Sequence, residues 1–197
     1  MKSSSLISKN ISIFALFLLV AAVFPGSNTA AAKSEEAVQA ALILKFAKFV
    51  EWPRTAFRSA SSPIVIGVLG DDRLRELLTF MAIDKKASGR GLKVVDANTS
   101  SSWSSVQILF IDESESAKLS RVLTSVNGKS VLTVSEAEGF TEKGGMIFFE
   151  RVASKLHLTI NTAATSEARL EVDSRLLDIA TITRFRHGAV LPLFKST

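Results

Sequence analysis

The chain contains no cysteine. That absence excludes thiol nucleophiles, disulfide switches and cysteine metal sites; a domain of this size has enough core to fold outside the cytoplasm without disulfides. Histidine is almost as scarce. His157 and His187 are the only two, and neither sits in a metal-ligand spacing such as HExxH. His157 reads as the polar-face residue of a strand and His187 as part of a tail. No GxSxG elbow sets any of the many serines beside a base. Gly67-Val68-Leu69-Gly70 is not GxGxxG, and no Walker lysine follows it. The pI is near 9.6, but no basic run with interleaved aromatics marks a nucleic-acid surface. No catalytic set, metal or cofactor is expected, and nucleic acid is not an expected partner.

What is present begins with an export signal. Lys2 and Lys9 precede an apolar stretch from Ile11 to Phe24, broken by Pro25-Gly26 and followed by the small residues Thr29-Ala30-Ala31-Ala32. This is the order of a cleavable secretory signal, with cleavage expected after Ala30 or Ala32. The stretch of 14 residues falls short of the roughly 20 that cross a bilayer as a helix. Removing residues 1–32 takes Lys2 and Lys9 and no acid, so 24 basic against 19 acidic side chains becomes 22 against 19, a balance of +3. The expected layout is signal peptide 1–32, one α/β domain 33–186 and a tail 187–197.

Hydrophobic spacing fills in that domain. Ser34-Glu35-Glu36 reads as a helix start, with Val38, Leu42, Phe46, Phe49 and Val50 as an apolar stripe and Trp52-Pro53 as the stop. Pro63 to Asp72 reads as a strand buried on both faces, followed by a helix from Arg73 to about Phe80. Strands at 92–95, 106–111 and 131–135 alternate with a turn at 88–91 and a helix at 114–126. That rhythm predicts a mixed, mostly parallel sheet flanked by helices. From Met146 the run MIFFERVASKLHLTIN predicts an antiparallel hairpin, and Ser174 to Ile182 a closing helix. The Ser-rich stretch 99–105 reads as a loop.

Few residues invite a binding role. Asp71-Asp72 follows a buried strand, where parallel sheets often bind ligands, but the pair also suits a helix start, which is the favoured reading. Arg54, Arg90 and Arg175 each border an apolar element, and arginine can grip a carboxylate through two parallel hydrogen bonds. They are the candidate ligand- or partner-contacting residues. In EGFTEKGGMIFFER, Gly144-Gly145 leads into a strand rather than a helix, which argues against a phosphate cradle. The glycines are expected to allow positive backbone angles at a turn.

The segments AALILKFAKFVEWP, IGVLGDD, SGRGLKV, ILFI, VLTVSEAEGFTEKGGMIFF and LHLTINTAATSEARLEVDSRLLDIA, in this order, resemble the YfiR-like family of exported bacterial regulators. Trp52, Pro53, Gly70, Gly139, Phe140, Gly144, Gly145 and Asn161 are the positions read as structural motif. The resemblance implies a periplasmic binding protein, not an enzyme. It would hold the periplasmic part of an inner-membrane diguanylate cyclase or sensor kinase inactive, lowering cyclic di-GMP and biofilm formation; it also implies a possible homodimer. The chain departs from the pattern at Gln107, where relatives often carry cysteine, which removes the ground for expecting redox control. The alternative function is a periplasmic small-ligand accessory protein with a pocket near Gly70-Asp71 and Arg90.

Overall fold

Strand β2 (Ile64–Leu69) is the centre of the architecture. Its side chains alternate between the two faces of the sheet, and all but Val65 are buried, as befits an interior strand. In this computed structural model, residues 27–152 and 155–185 are described; 1–26, 153–154 and 186–197 lie outside the description. Most of the expected signal, His187 and the tail are therefore among residues not described. Glu35–Thr197 forms one compact unit, and Met1–Ser34 another.

Around β2 lie β4 (Arg90–Asp96), β5 (Ile108–Ile111), β6 (Leu132–Ser135) and β7 (Ile147–Val152), all parallel. β8 (Lys155–Asn161) returns antiparallel to β7, so the expected hairpin is present. Edge strands β3 (Lys86–Ala87) and β10 (Thr181–Thr183) complete the order β10-β8-β7-β6-β5-β2-β4-β3. A separate pair joins β1 (Val50–Glu51) to β9 (Glu171–Val172). The mixed, mostly parallel sheet with flanking helices agrees with the sequence pattern.

One sheet face carries Ile64, Ile66, Val68, Ile108 and Phe110, packed with α1 (Ser27–Phe49) and α2 (Asp72–Ala82). Phe46 of α1 stacks on Phe149 of β7 with ring centroids 5.8 Å apart; both rings are buried, each worth roughly 1.5–3 kcal/mol of apolar transfer. The opposite face carries Leu69, Leu109 and Ile111, covered by α3 (Leu119–Val126), Trp103 and Phe140.

Four helical features depart from the sequence reading, the first being the expected helix at 114–126, which is a 3-10 helix over Glu113–Lys118 and α-helix only from Leu119. α1 begins at Ser27, not Ser34, and its buried apolar row is Ala40, Ile43, Leu44, Phe46 and Ala47, while Val38 faces solvent and the buried Val50 belongs to β1. At 3.6 residues per turn Val38 lies about 200° around the helix from the buried Ala40, on the side away from the sheet. The closing helix α5 covers only Ser174–Leu177. Thr181–Thr183 instead extends the sheet beside β8, because β8 offers an unpaired edge that a short extended segment satisfies. Between β8 and β9, the sequence reading missed α4 (Thr162–Glu167).

The double glycine divides its work. Gly144 has φ +92°, as a turn glycine should. Gly145 is needed for a different reason: a Cβ there would sit 2.4 Å from the buried Phe140 ring. Asn161 locks the same turn. Its Nδ2 donates to the carbonyls of Thr141 (3.2 Å), Gly145 (3.2 Å) and Phe185 (2.7 Å), and its Oδ1 accepts from the amides of Ala164 (3.3 Å) and Phe185 (3.0 Å). One buried amide therefore joins the turn, the start of α4 and the segment after β10.

Candidate functional site

The C-terminal ends of β2 and β5 are where strand order reverses, the usual ligand crevice of an open parallel sheet. Here that crevice is filled. A side chain at Gly70 would meet Glu115 Cγ at 2.7 Å and Asp112 Cβ at 3.0 Å, and the Gly70 amide donates to Asn98 Oδ1 at 3.2 Å. Asp71 Oδ1 accepts from the Leu74 amide at 2.9 Å, capping α2, and Asp72 pairs with Arg75 at 2.9 Å. Both acids act within their own helix, as the favoured reading held. A pocket combining Gly70-Asp71 with Arg90 does not form: β2 and β4 are parallel, so the end of one strand and the start of the other lie at opposite edges.

The open space is at the other edge. A cleft of about 870 Å³ lies where β2, β5 and β6 begin, lined by the segments 55–58, 62–65, 102–107 and 128–131 together with Lys93, Val95, Asp96 and Arg169. It exists because of how the chain crosses the sheet. The β4-to-β5 connection, residues 97–107, is a Ser-rich loop with a three-residue 3-10 turn and not a helix. Its one large apolar anchor, Trp103, donates Nε1–H to the Ala97 carbonyl at 2.8 Å. That side chain covers part of the face but leaves Val65 and Val95 only partly buried at its rim. Lys93 lies opposite Val65 in the parallel register, exposed on the same uncovered strip.

Gln107 forms the back of the cleft. Buried to 7% exposure, its Oε1 accepts from the Val65 amide at 2.9 Å and its Nε2 donates to the Ala56 carbonyl at 2.8 Å. Its own carbonyl accepts from Trp52 Nε1 at 3.2 Å and from the Leu132 amide at 2.8 Å. The side-chain amide thus ties the loop after Trp52-Pro53 to the sheet, continuing backbone pairing by other atoms.

The three candidate arginines have unlike surroundings. Arg90 holds the cleft's outer loop: its Nη1 donates to the Ser62 (2.6 Å) and Ser59 (3.1 Å) carbonyls, and its guanidinium lies 3.7 Å from the Phe57 ring centroid. Arg175 is held by Asp173 through two parallel hydrogen bonds, 2.9 and 2.6 Å, and stacks over Phe49 at 4.9 Å. That guanidinium lowers the Asp173 carboxyl to about 2. Arg54 is exposed on the short 3-10 turn leading into the loop. The cations that face the cleft are others: Arg58, Lys93, Lys129 and Arg169, all exposed. Among the described residues none of the four is in an ion pair within 4 Å. Sequence reasoning missed them; the signal was Lys93, a charge in the middle of an expected strand.

Arg169 has a second peculiarity. It takes φ +58° just after α4, with its amide bonded to the Ser166 carbonyl at 3.0 Å and the Leu170 amide to the Thr165 carbonyl at 2.9 Å. This is the left-handed helix ending that glycine normally occupies.

The first helix directs Phe46 into the core and half-buries Phe49. The large exposed apolar side chains among the described residues are Val38, Phe80, Ile83, Val152, Ile179 and Ile182. No group of three metal-ligating side chains occurs among the described residues, and no helix there is long and apolar enough to cross a membrane.

The described residues thus combine an α/β fold with a filled switch point and an open cleft lined by cations. The family model described as DUF4154, YfiR/HmsC-like, matches residues 36–181, and the chain belongs to that family. No curated protein matches it significantly.

Proposed function

We propose that this chain is an exported periplasmic regulator that binds the periplasmic part of an inner-membrane diguanylate cyclase, or a related sensor kinase, and holds it inactive. The observation that carries this reading is the family match across residues 36–181, nearly the whole described domain. The described residues are in keeping with it: Asp71 caps α2, Asp72 pairs within it, and Arg90 braces a loop. Control of this kind requires that the regulator bind one state of its partner more tightly than the other. The lower-signalling state is then populated in proportion to that difference, with lower cyclic di-GMP and less biofilm as the outcome. The N-terminal apolar stretch supports delivery to the periplasm through a cleavable signal.

Crosslinking in living cells followed by purification of this chain should recover a single-pass membrane cyclase or kinase, and deletion should raise cyclic di-GMP. Recovery of no membrane signalling protein, together with unchanged cyclic di-GMP, overturns the reading.

A further inference from the structure

We infer that the cleft at the starting edge of the parallel strands is a binding site for a small organic polyanion carrying two or more carboxylate or phosphate groups. Several features converge there. The cleft, about 870 Å³, falls within the range of small-ligand sites, roughly 300–1,000 Å³. Its walls carry Arg58, Lys93, Lys129 and Arg169 against the single carboxylate of Asp96, and that carboxylate already accepts from the Asn98 amide at 2.7 Å. The local excess of three positive charges equals the balance expected for the whole domain after signal removal. Arg73, Arg75, Lys118, Arg151 and Arg175, by contrast, each have an acidic partner, whereas the four cleft cations have none among the described residues and share one space.

Ser104 and Ser130 line the same space and bring hydroxyls that can donate to anionic oxygens, whereas the Ser102 and Ser105 hydroxyls already donate to the Thr99 and Ser102 carbonyls. Arg169 adds a thermodynamic argument. A non-glycine residue held at positive φ costs on the order of 1 kcal/mol, yet the position at the cleft's rim carries a guanidinium. The apolar strip of Val65, Val95 and Val106 would take the carbon skeleton while the cations hold the charged groups. The floor is rigid, because Gln107 pins β2 to the outer loop and Arg90 pins that loop to β4.

The test does not depend on the membrane partner, so its failure leaves the regulatory reading to be judged by cyclic di-GMP alone. Purified protein is titrated calorimetrically with citrate and, separately, inorganic pyrophosphate, each against sodium chloride of matched ionic strength. Saturable binding of at least one probe is expected. Lys93→Gln with Lys129→Gln should weaken it about tenfold or more. Lys45→Gln with Lys48→Gln, an equal charge change on exposed positions of α1, should leave it unchanged. Arg58→Gln, on the loop, provides an independent variant. The inference is overturned if neither probe binds beyond matched salt, or if the α1 pair weakens binding as much as the cleft pair.

Discussion

The two edges of the parallel sheet are built from the same strands and treated in opposite ways. Where β2 and β5 end, Gly70 lets residues 112–115 close over the strand tips, and the nearby acids serve α2. Where those strands begin, a loop replaces a covering helix and leaves a basic cleft. Strand order alone directs attention to the first edge. What decides is the connection: a crossover long and apolar enough to form a helix closes one region, and a short serine-rich one leaves another open.

Substitutions can break or sharpen this contrast. The largest effect is expected for Gly145→Val, at the packed turn beside the open edge. The valine would require displacement of the fully buried Phe140 ring, costing about 4 kcal/mol or more. Soluble yield and denaturant unfolding measure it, and a near-normal midpoint would show that this turn is not packed as described. Gly70→Val probes the closed edge. A merely empty crevice would tolerate the added side chain, whereas a filled one with φ +91° at that position loses about 3 kcal/mol, or roughly 10 °C in Tm.

Arg169→Gly goes the other way. Relief of the left-handed backbone should raise stability by about 1 kcal/mol while weakening polyanion binding, so calorimetry and thermal unfolding should move in opposite directions. Loss of stability instead would mean that the Arg169 side chain braces the fold.

The smallest effect concerns Asp173. Its carboxyl is lowered from 3.8 to about 2 by the Arg175 guanidinium and its amide. A depressed folded-state value stabilises above the unfolded value, and that contribution is lost as pH falls through the interval from about 4 to 2. The Tm difference between the parent and Asp173→Asn should therefore stay constant from pH 7 to 5 and vanish under strong acid. A difference that changes between pH 7 and 5 would contradict the pairing.

Much of the architecture was legible because it rests on local pattern. Ile64 to Leu69 announced an interior strand, Leu156, Leu158 and Ile160 announced a half-buried one, and Asp71 announced a cap. The misses share a physical cause. Lys86–Ala87 and Glu171–Val172 are strands of two residues, too short to show a period. Thr181–Thr183 reads as helix because Ile179 and Ile182 fall at helical spacing, yet both side chains are exposed; pairing with β8 decides its conformation. The cleft was illegible for a different reason, since it arises from what fails to cover Val65, Lys93 and Val95. Only Lys93 within a strand and the serines at 101–105 hinted at it. Of the three arginines singled out, Arg90 braces the cleft's loop and Arg175 is engaged by Asp173, while the four cations facing the space belong to elements whose meeting depends on topology.

Gln107 carries a consequence for the environment in which such a protein would work. An amide neither titrates nor accepts electrons under biological conditions, so the joint it makes between Ala56, Val65 and the strand beside them is chemically silent. Peroxide, acid or a thiol reductant finds nothing at that joint to alter. The back wall of the cleft therefore keeps its shape through oxidation or acidification that would alter a cysteine or a histidine at the same place.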